Sequence, residues 1–151
     1  PPVAQNGARK SGFLRGMTPE AIFYRMFDND PFSQRMGMEL VSIHEGKCTL
    51  RMRVHADMLN GFGVAHGGIS FALADSALAF ACNSRGQHAM SIHCSIEHVA
   101  PVFEHDVLIA TAEEEHASNS LSNYAVRITR QDGSPVAFFR GMAYRKKTEW
   151  I

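Results

Sequence analysis

The chain has 151 residues, which suits one domain and is too short for two well-built ones. Its 15 basic and 15 acidic residues cancel, so no overall positive field attracts nucleic acid, while 45% hydrophobic residues predict a globular core. No run approaches the roughly 20 apolar residues that cross a membrane, and no membrane partner is expected. Cys48, Cys82 and Cys94 form neither a disulfide framework nor a CxxC metal motif, which favours a cytoplasmic location.

The N-terminal part of the sequence divides into a tail and a first helix. Residues 1–17 are rich in Pro, Gly and Ser, and we expect a mobile tail that precedes one domain over 18–151. Residues 18–20, Thr-Pro-Glu, have the order of an N-cap, a proline at the first helical position and an acid in the first turn. The apolar spacing predicts a helix to about Phe27, and Asp-Pro at 30–31 is expected to end it.

The remainder predicts a sheet and one long helix. Alternating apolar and polar residues from Met38 predict a β-hairpin around residues 45–46. Residues 66–86 then form an Ala- and Leu-rich helix that is apolar on nearly every side, which we expect to be buried. Four further strands are predicted over 88–98, 105–116, 120–130 and 135–146. One buried helix and a large antiparallel sheet predict an α+β fold in which the sheet wraps around the helix.

One aspartate stands in the middle of the apolar helix. Asp75 lies within the run ISFALADSALAF, where aspartate is a poor helix former and is costly to bury without a partner. A partly desolvated carboxylate in such a position is suited to act as a general base. The alternative is a structural aspartate that bonds a neighbouring loop or faces a partner chain, and the residue type alone leaves both open.

The same helix begins with His66, Gly67 and Gly68. Glycines let a ligand approach the backbone closely, and free N–H groups of a first helical turn bind an oxyanion, although a plain loop-to-helix junction is the alternative. Gly67 and Asp75 are eight residues apart. That is about 12 Å along a helix axis, so one substrate carbonyl cannot touch both. Two such helices running antiparallel across a two-fold axis bring Gly67 of one chain near Asp75 of the other, which predicts a site shared within a homodimer.

These motifs together resemble a known family. Residues 58–86, MLNGFGVAHGGISFALADSALAFACNSRG, closely resemble the signature of hotdog-fold acyl-CoA thioesterases, and most of all the PaaI type of phenylacetic acid degradation. The resemblance extends from about Met26 to about Arg145. It implies a hotdog fold, with an antiparallel sheet wrapped around one long central helix, and homo-oligomers that are dimers or dimers of dimers. It also implies hydrolysis of an acyl-CoA to free acid and coenzyme A, and we expect an aryl, phenylacetyl or medium-chain acyl group.

The resemblance assigns roles to residues of the motif. Asp75 takes the position of the catalytic carboxylate, which acts either as general base or as nucleophile. Gly67 takes the oxyanion-donor position, and Asn60 the position that helps to hold the water or substrate. His66 corresponds to the motif histidine, which shapes the loop. Ser91 is on the strand after the helix, where some relatives place a hydroxyl near the thioester.

Contacts to the rest of the substrate are less sharply indicated. Gly68 can approach the ligand, and basic residues near the end of the chain or just past the helix suit the phosphates of coenzyme A, although solvated surface charges are the alternative. These residues are Arg85, Arg140, Arg145, Lys146 and Lys147. Candidates to line an acyl pocket are Phe62, Phe71, Phe80, Phe103 and Phe138, with ordinary core positions as the alternative. Coenzyme A enters as part of the substrate, and nothing requires a metal or redox cofactor.

Thioester chemistry fits this small set of groups. The thiol parent of the leaving thiolate has a pKa of about 8.5, so the reaction needs little or no general acid. Two other functions stay open from the sequence. One is an acyl-CoA-binding scaffold without catalysis, and the other is a hotdog dehydratase or hydratase, which would pair a catalytic histidine with a carboxylate. A zinc site from His93, Glu97 and their neighbours fits no standard ligand spacing.

Overall fold

The computed structural model describes residues 16–151. Most of the predicted tail over 1–17 lies outside these residues, so its mobility stays a prediction. The helices are α1 (Pro19–Phe27), α2 (Pro31–Arg35) and α3 (Gly67–Asn83), with a 3-10 turn at Ala56–Met58. The strands are β1 (Glu39–His44), β2 (Lys47–Arg53), β3 (Gln87–His98), β4 (Val107–Ala117), β5 (Leu121–Thr129) and β6 (Pro135–Glu149).

The strands form one antiparallel sheet around α3. The sheet has six strands in the order β1-β2-β4-β5-β6-β3, and every neighbouring pair is antiparallel. β3 follows α3 directly in the chain, yet within residues 16–151 it lies at one edge of the sheet and pairs with β6. The prediction of a sheet wrapped around one long helix is confirmed, and the predicted strands agree with the observed ones to within a few residues.

Close contact between α3 and the sheet fixes the position of the helix. Leu73, Ala77 and Leu78 are fully buried, and they face the inner side of the sheet within the core. At Gly141 of β6 a Cβ atom would lie only 2.1 Å from Cδ1 of Leu78, so the strand has no space for a side chain there. Alanine and glycine thus bring helix and sheet together where bulkier residues would hold them apart.

The N-terminal helices agree with the sequence in one respect and differ in another. Thr18 caps α1 as predicted, with its hydroxyl oxygen accepting from the Ala21 N–H at 3.2 Å. The Asp-Pro pair at 30–31 was expected only to end a helix, but it also begins α2. The Asp30 carboxylate accepts from the Ser33 N–H at 2.9 Å, so the pair is itself an N-cap followed by a proline at the first helical position.

The long helix is not buried on every side in the single chain. The face that carries Phe71 and Asp75 is partly open, and 36% of Phe71 is exposed. The expectation of burial all round is therefore wrong for one chain, because the sheet covers only the side of α3 that it contacts.

Within residues 16–151, no helix has the length and hydropathy to cross a membrane.

Candidate active site

Asp75 projects from α3 toward β3 and meets two polar side chains there. The Ser91 hydroxyl donates to Oδ1 of Asp75 at 3.1 Å, and Sγ of Cys94 lies 3.9 Å from the same oxygen. Hydrogen bonds to a charged acceptor contribute about 1.5–3 kcal/mol, so Ser91 both stabilises and orients the half-buried carboxylate. With one oxygen held by Ser91, the other carboxylate oxygen is available to a water or substrate.

The nearby thiols are poor candidates for a nucleophile. Burial and the negative charge of Asp75 raise the pKa of the Cys94 thiol. Burial, with a smaller contribution from the charge of Asp75, raises the pKa of Cys82 to about 12, although hydrogen bonds to the thiol act in the opposite direction. With raised pKa values, both thiols stay protonated near neutral pH. Because only a thiolate attacks a thioester efficiently, they are unreactive there. Among these three side chains, Asp75 therefore stays the candidate for the reactive group.

A cavity of about 380 Å³ opens beside Asp75, between α3 and the N-terminal helices. Its apolar wall is formed by Met26, Phe32, Phe71, Ala79 and Phe80. Two of the five aromatic residues proposed for an acyl pocket are among these. Phe62 is instead 93% exposed, and Phe103 and Phe138 lie against the guanidinium groups of Arg130 and Arg127. The cavity has the size and apolar character that an aromatic or aliphatic acyl group needs.

The N-terminal end of α3 presents a free hydrogen-bond donor. Nδ1 of His66 accepts from the Gly68 N–H at 3.0 Å, so the His66 side chain caps the helix as the predicted shaper of this junction. Its Nε2 then carries the proton in the neutral ring. In the described part of the chain the Gly67 N–H makes no hydrogen bond. This donor, with the positive end of the helix dipole behind it, suits a carbonyl oxygen that gains negative charge.

The loop before α3 is fixed by its own hydrogen bonds. Oδ1 of Asn60 accepts from the Phe62 N–H at 2.9 Å, which shapes the turn. The Ala65 N–H donates to the Val102 carbonyl at 2.7 Å, which joins this loop to the segment after β3. The Asn60 side chain therefore helps to form the approach to the helix, and its contact with water or substrate stays a prediction.

A second cavity, of about 400 Å³, lies at the start of α3. Gly67 and Ser70 form one side, His98 of β3 another, and the loop 99–102 closes it. Arg130 holds this loop, because its guanidinium donates to the Pro101 carbonyl. His98 was not predicted as part of the site. The sequence signal was its place on the same face of β3 as Cys94, but only the folded chain brings it to Gly67.

Three of the five basic residues proposed for phosphate binding already have partners. The partners are Glu114 for Arg85 (2.8 Å), Glu115 for Arg140 (2.6 Å) and the Ser118 carbonyl for Arg145. The side chains of Lys146 and Lys147 are exposed and make no hydrogen bond within residues 16–151. Binding of a phosphate by these arginines would compete with their present partners, and the role stays a prediction for all five residues.

Gly67 and Asp75 occupy separate parts of one helix, as their spacing predicts. Eight residues separate them within an unbroken α-helix, which places them about 12 Å apart along the axis. Each faces its own cavity, one at the helix start and one beside α2.

Within residues 16–151, no group of three His, Cys, Asp or Glu side chains is arranged to hold a metal ion.

Comparison with known proteins decides the family. The sequence pattern of the thioesterase superfamily matches residues 62–137, which contain α3, three whole strands (β3, β4 and β5) and the start of β6. The chain belongs to the thioesterase superfamily. It is 39% identical over 122 residues to the acyl-coenzyme A thioesterase PaaI of Escherichia coli, an alignment that covers 81% of this chain and 87% of that protein.

Solved thioesterase-superfamily structures share the fold. The structure of E. coli PaaI, from the phenylacetic acid degradation operon, superposes with a TM-score of 0.85 at 36% identity, and covers 88% of this chain and 96% of that one. A mutant phenylacetic acid degradation protein PaaI from Thermus thermophilus gives a TM-score of 0.75 at 34% identity, with 78% and 100% covered. The predicted hotdog fold and the resemblance to the PaaI type are confirmed.

Proposed function

We propose that the protein is an acyl-CoA thioesterase, which hydrolyses an acyl-CoA to a free acid and coenzyme A. The observation that carries the proposal is the Asp75 carboxylate, held by Ser91 at the edge of an aromatic-lined cavity in a thioesterase-superfamily chain. The relative from E. coli is named an acyl-coenzyme A thioesterase, and its alignment includes most of this chain. Chemistry, cavity and family therefore support the same reaction.

Asp75 acts as the general base. Its free carboxylate oxygen takes a proton from a water molecule as that water attacks the thioester carbonyl carbon. The carbonyl oxygen becomes an oxyanion, which the Gly67 N–H stabilises at the start of α3. Collapse of this intermediate breaks the carbon–sulfur bond and releases the thiolate of coenzyme A. The products are a carboxylic acid and a thiol, and the two share the protons of the water.

The site is formed by two copies of the chain. On one chain Gly67 and Asp75 are too far apart to act on the same carbonyl. The free edge of β3 borders Asp75 and exposes Met90 and Ile92, each by more than half of its surface. Pairing of two β3 edges about a two-fold axis continues the sheet, covers the open face of α3 and places the start of one helix beside Asp75 of the other. Two such dimers associate into a tetramer.

The acyl group is aromatic or medium-chain. Phe32, Phe71 and Phe80 offer ring edges and faces beside Asp75, and the cavity of about 380 Å³ suits a phenylacetyl-sized group. The coenzyme A portion extends away from this cavity toward solvent, where exposed Lys146 is available to its phosphates. The free cysteines support a cytoplasmic location.

Release of free thiol from a panel of acyl-CoAs tests the reaction. Asp75→Asn keeps the shape of the side chain and removes the base, so we expect kcat to fall by about 10³-fold or more. Asp57→Asn is the matched control, because Asp57 is exposed in the 3-10 turn and its variant keeps wild-type turnover. Tight acyl-CoA binding by the wild type without turnover would instead favour a binding scaffold, and turnover by Asp75→Asn at the wild-type rate would reject the assignment.

A single turnover in ¹⁸O-labelled water tests the role of Asp75. Attack by water on the thioester carbon puts the label into the released acid alone. A nucleophilic carboxylate would first form a mixed anhydride, whose hydrolysis at the enzyme's carboxyl carbon leaves label in Asp75. Label in the peptide that contains Asp75 would therefore contradict the general-base mechanism.

A further inference from the structure

The imidazole of His98 lies directly against the first residue of α3. A Cβ atom at Gly67 would be 3.1 Å from Nε2 of His98 and 3.4 Å from its Cε1. The nitrogen edge of the ring therefore faces Gly67. Because Cα–Cβ bonds of a helix point toward its N-terminus, the ring lies on the side to which the first N–H groups open.

The absence of a side chain at Gly67 is explained by this contact. Gly67 is not among the glycines with positive φ, so its backbone conformation is accessible to any residue. A methyl group at this position would meet the His98 ring within 3.1 Å. The glycine thus allows the His98 imidazole to approach the free Gly67 N–H. Two polar groups therefore lie side by side at the start of α3.

Both groups are without partners. In the described part of the chain, neither the Gly67 N–H nor a ring nitrogen of His98 makes a hydrogen bond. The two residues line the same cavity of about 400 Å³, together with Ser70 and the loop 99–102. Among the residues that line the cavity none is acidic, so no carboxylate holds the imidazole away from a ligand.

We infer that His98 is a second hydrogen-bond donor to the thioester carbonyl oxygen, beside the Gly67 N–H. The inference rests on the proposed function and names a further catalytic residue for it. When water adds to the carbonyl carbon, the oxygen gains negative charge, and a donor already aimed at it binds the transition state more tightly than the substrate. In the proposed dimer, one chain supplies Gly67 and His98, and the other supplies Asp75 with Ser91.

Two substitutions at His98 separate the donor from the ring. His98→Phe keeps a flat ring against Gly67 and removes the donor, and His98→Gln restores an N–H group. We expect His98→Phe to lower kcat by about 10²-fold with KM changed less than threefold, because the lost bond forms mainly in the transition state. His98→Gln should recover at least a tenth of the wild-type kcat. His44→Phe is the matched control, because His44 is exposed on β1 at the opposite edge of the sheet, and its kinetics should stay those of the wild type.

The outcomes distinguish this inference from the proposed function. If the wild type hydrolyses acyl-CoA and Asp75→Asn does not, but His98→Phe keeps the wild-type kcat, the donor role is overturned while the function stands. Equal losses in His98→Phe and His98→Gln, or a rise in KM alone, would also overturn it, since neither tracks the donor. If the wild-type protein shows no turnover of any acyl-CoA, the proposed function is wrong, and the role of His98 falls with it. Circular dichroism and thermal unfolding confirm that each variant is folded, which we expect because His98 is exposed.

Discussion

The two ends of α3 differ in their hydrogen bonding. At the C-terminal end, side chains bind the last backbone groups of the helix, whereas at the N-terminal end the Gly67 N–H has no partner among residues 16–151. Buried Asn83 donates to the carbonyls of Ala79 and Ala89 at 2.9 and 2.8 Å, and its Oδ1 accepts from the Ala89 N–H and the Trp150 indole. Trp150 also stacks on His88, with ring centroids 4.1 Å apart. The end of the chain thereby closes this end of the helix.

Charged groups reinforce the closed end. Arg85, just after α3, pairs with Glu114 at 2.8 Å, and the Tyr124 hydroxyl donates to the same carboxylate at 2.7 Å. Burial acts to raise the pKa of Glu114, but the bonds from Arg85 and Tyr124 outweigh it and hold that pKa below its ordinary value. This carboxylate therefore stabilises the fold while ionised, and the contribution is lost as the pH falls through its lowered pKa.

The difference between the two ends separates stability from function. At the C-terminal end nearly every polar group has a partner within the chain, which is what a buried junction requires. At the N-terminal end the Gly67 N–H and the His98 ring have no partner among residues 16–151, and both residues line a cavity. A single helix is thus closed by side chains at one end and presents a donor to a cavity at the other. If the proposed site is right, substitutions at the two ends should have separable effects on stability and on activity.

Among substitutions that compare the two ends of α3, the largest effect is expected from closing the free end. Gly67→Ala puts a methyl group 3.1 Å from Nε2 of His98 and crowds the space beside the free N–H. We expect kcat/KM to fall by about 10²-fold or more, as for loss of an oxyanion donor. Stability should stay the same or rise by a few tenths of a kcal/mol, because alanine is the better helix residue.

The control for this variant is Gly16→Ala. No atom lies within 4 Å of a Cβ placed at Gly16, so its activity should equal that of the wild type. Steady-state kinetics and thermal unfolding measure both effects. An unfolded Gly67→Ala protein, or one with normal kinetics, would contradict the separation of the two ends.

A mixed dimer sharpens the comparison by dividing the site between chains. Chains carrying Gly67→Ala and Asp75→Asn are each nearly inactive alone. After random mixing, half of the dimers are mixed and each of these has one intact site if the two groups come from different chains, so activity should return to about one quarter of the wild-type value. Subunits with different affinity tags allow the mixed species to be isolated. No recovery in the isolated mixed dimer would place both groups on the same chain.

The smallest effect on turnover is expected at the closed end. Asn83→Ala leaves the Trp150 indole, the Ala89 N–H and nearby carbonyls without their partner, which should lower the free energy of unfolding by about 2–3 kcal/mol. Activity per folded molecule should change less than twofold. Denaturant unfolding measures the loss, with Asn119→Ala at an exposed turn as the control. Unchanged stability in Asn83→Ala would show that the closed end does not support the fold.

The sequence predicted the parts of this molecule that depend on local pattern. Period-two alternation located the strands, and the Thr-Pro-Glu and His-Gly-Gly sequences located the starts of α1 and α3. Asp75 was identified because a carboxylate is out of place in an apolar helix, and Ser91 because it lies on the next strand. The hydrogen bond between them is consistent with the prediction for Asp75. It also shows that the Ser91 hydroxyl contacts the Asp75 carboxylate.

Features that depend on long-range packing were beyond local pattern. The pairing of β3 with β6 at the sheet edge, rather than with a sequence neighbour, needs the whole topology. The approach of His98 to Gly67 depends on that pairing and on the loop that Arg130 holds. α2 was missed because Asp-Pro is both a helix stop and a helix start. The open face of α3 could not be predicted, because an apolar helix has the same composition whether its own chain or a second copy of the chain covers it.

The clearance at Gly141 has a consequence for how such a protein can change. Gly141 lies opposite Cys94 on β3, and Leu78, which fills its empty space, is one helical turn beyond Asp75. Any side chain at 141 would push the helix outward and turn the carboxylate away from Ser91. Changes in the shape of the cavity beside Asp75 are therefore better accommodated in the short α2, at Phe32, which borders this cavity without setting the rotation of the helix.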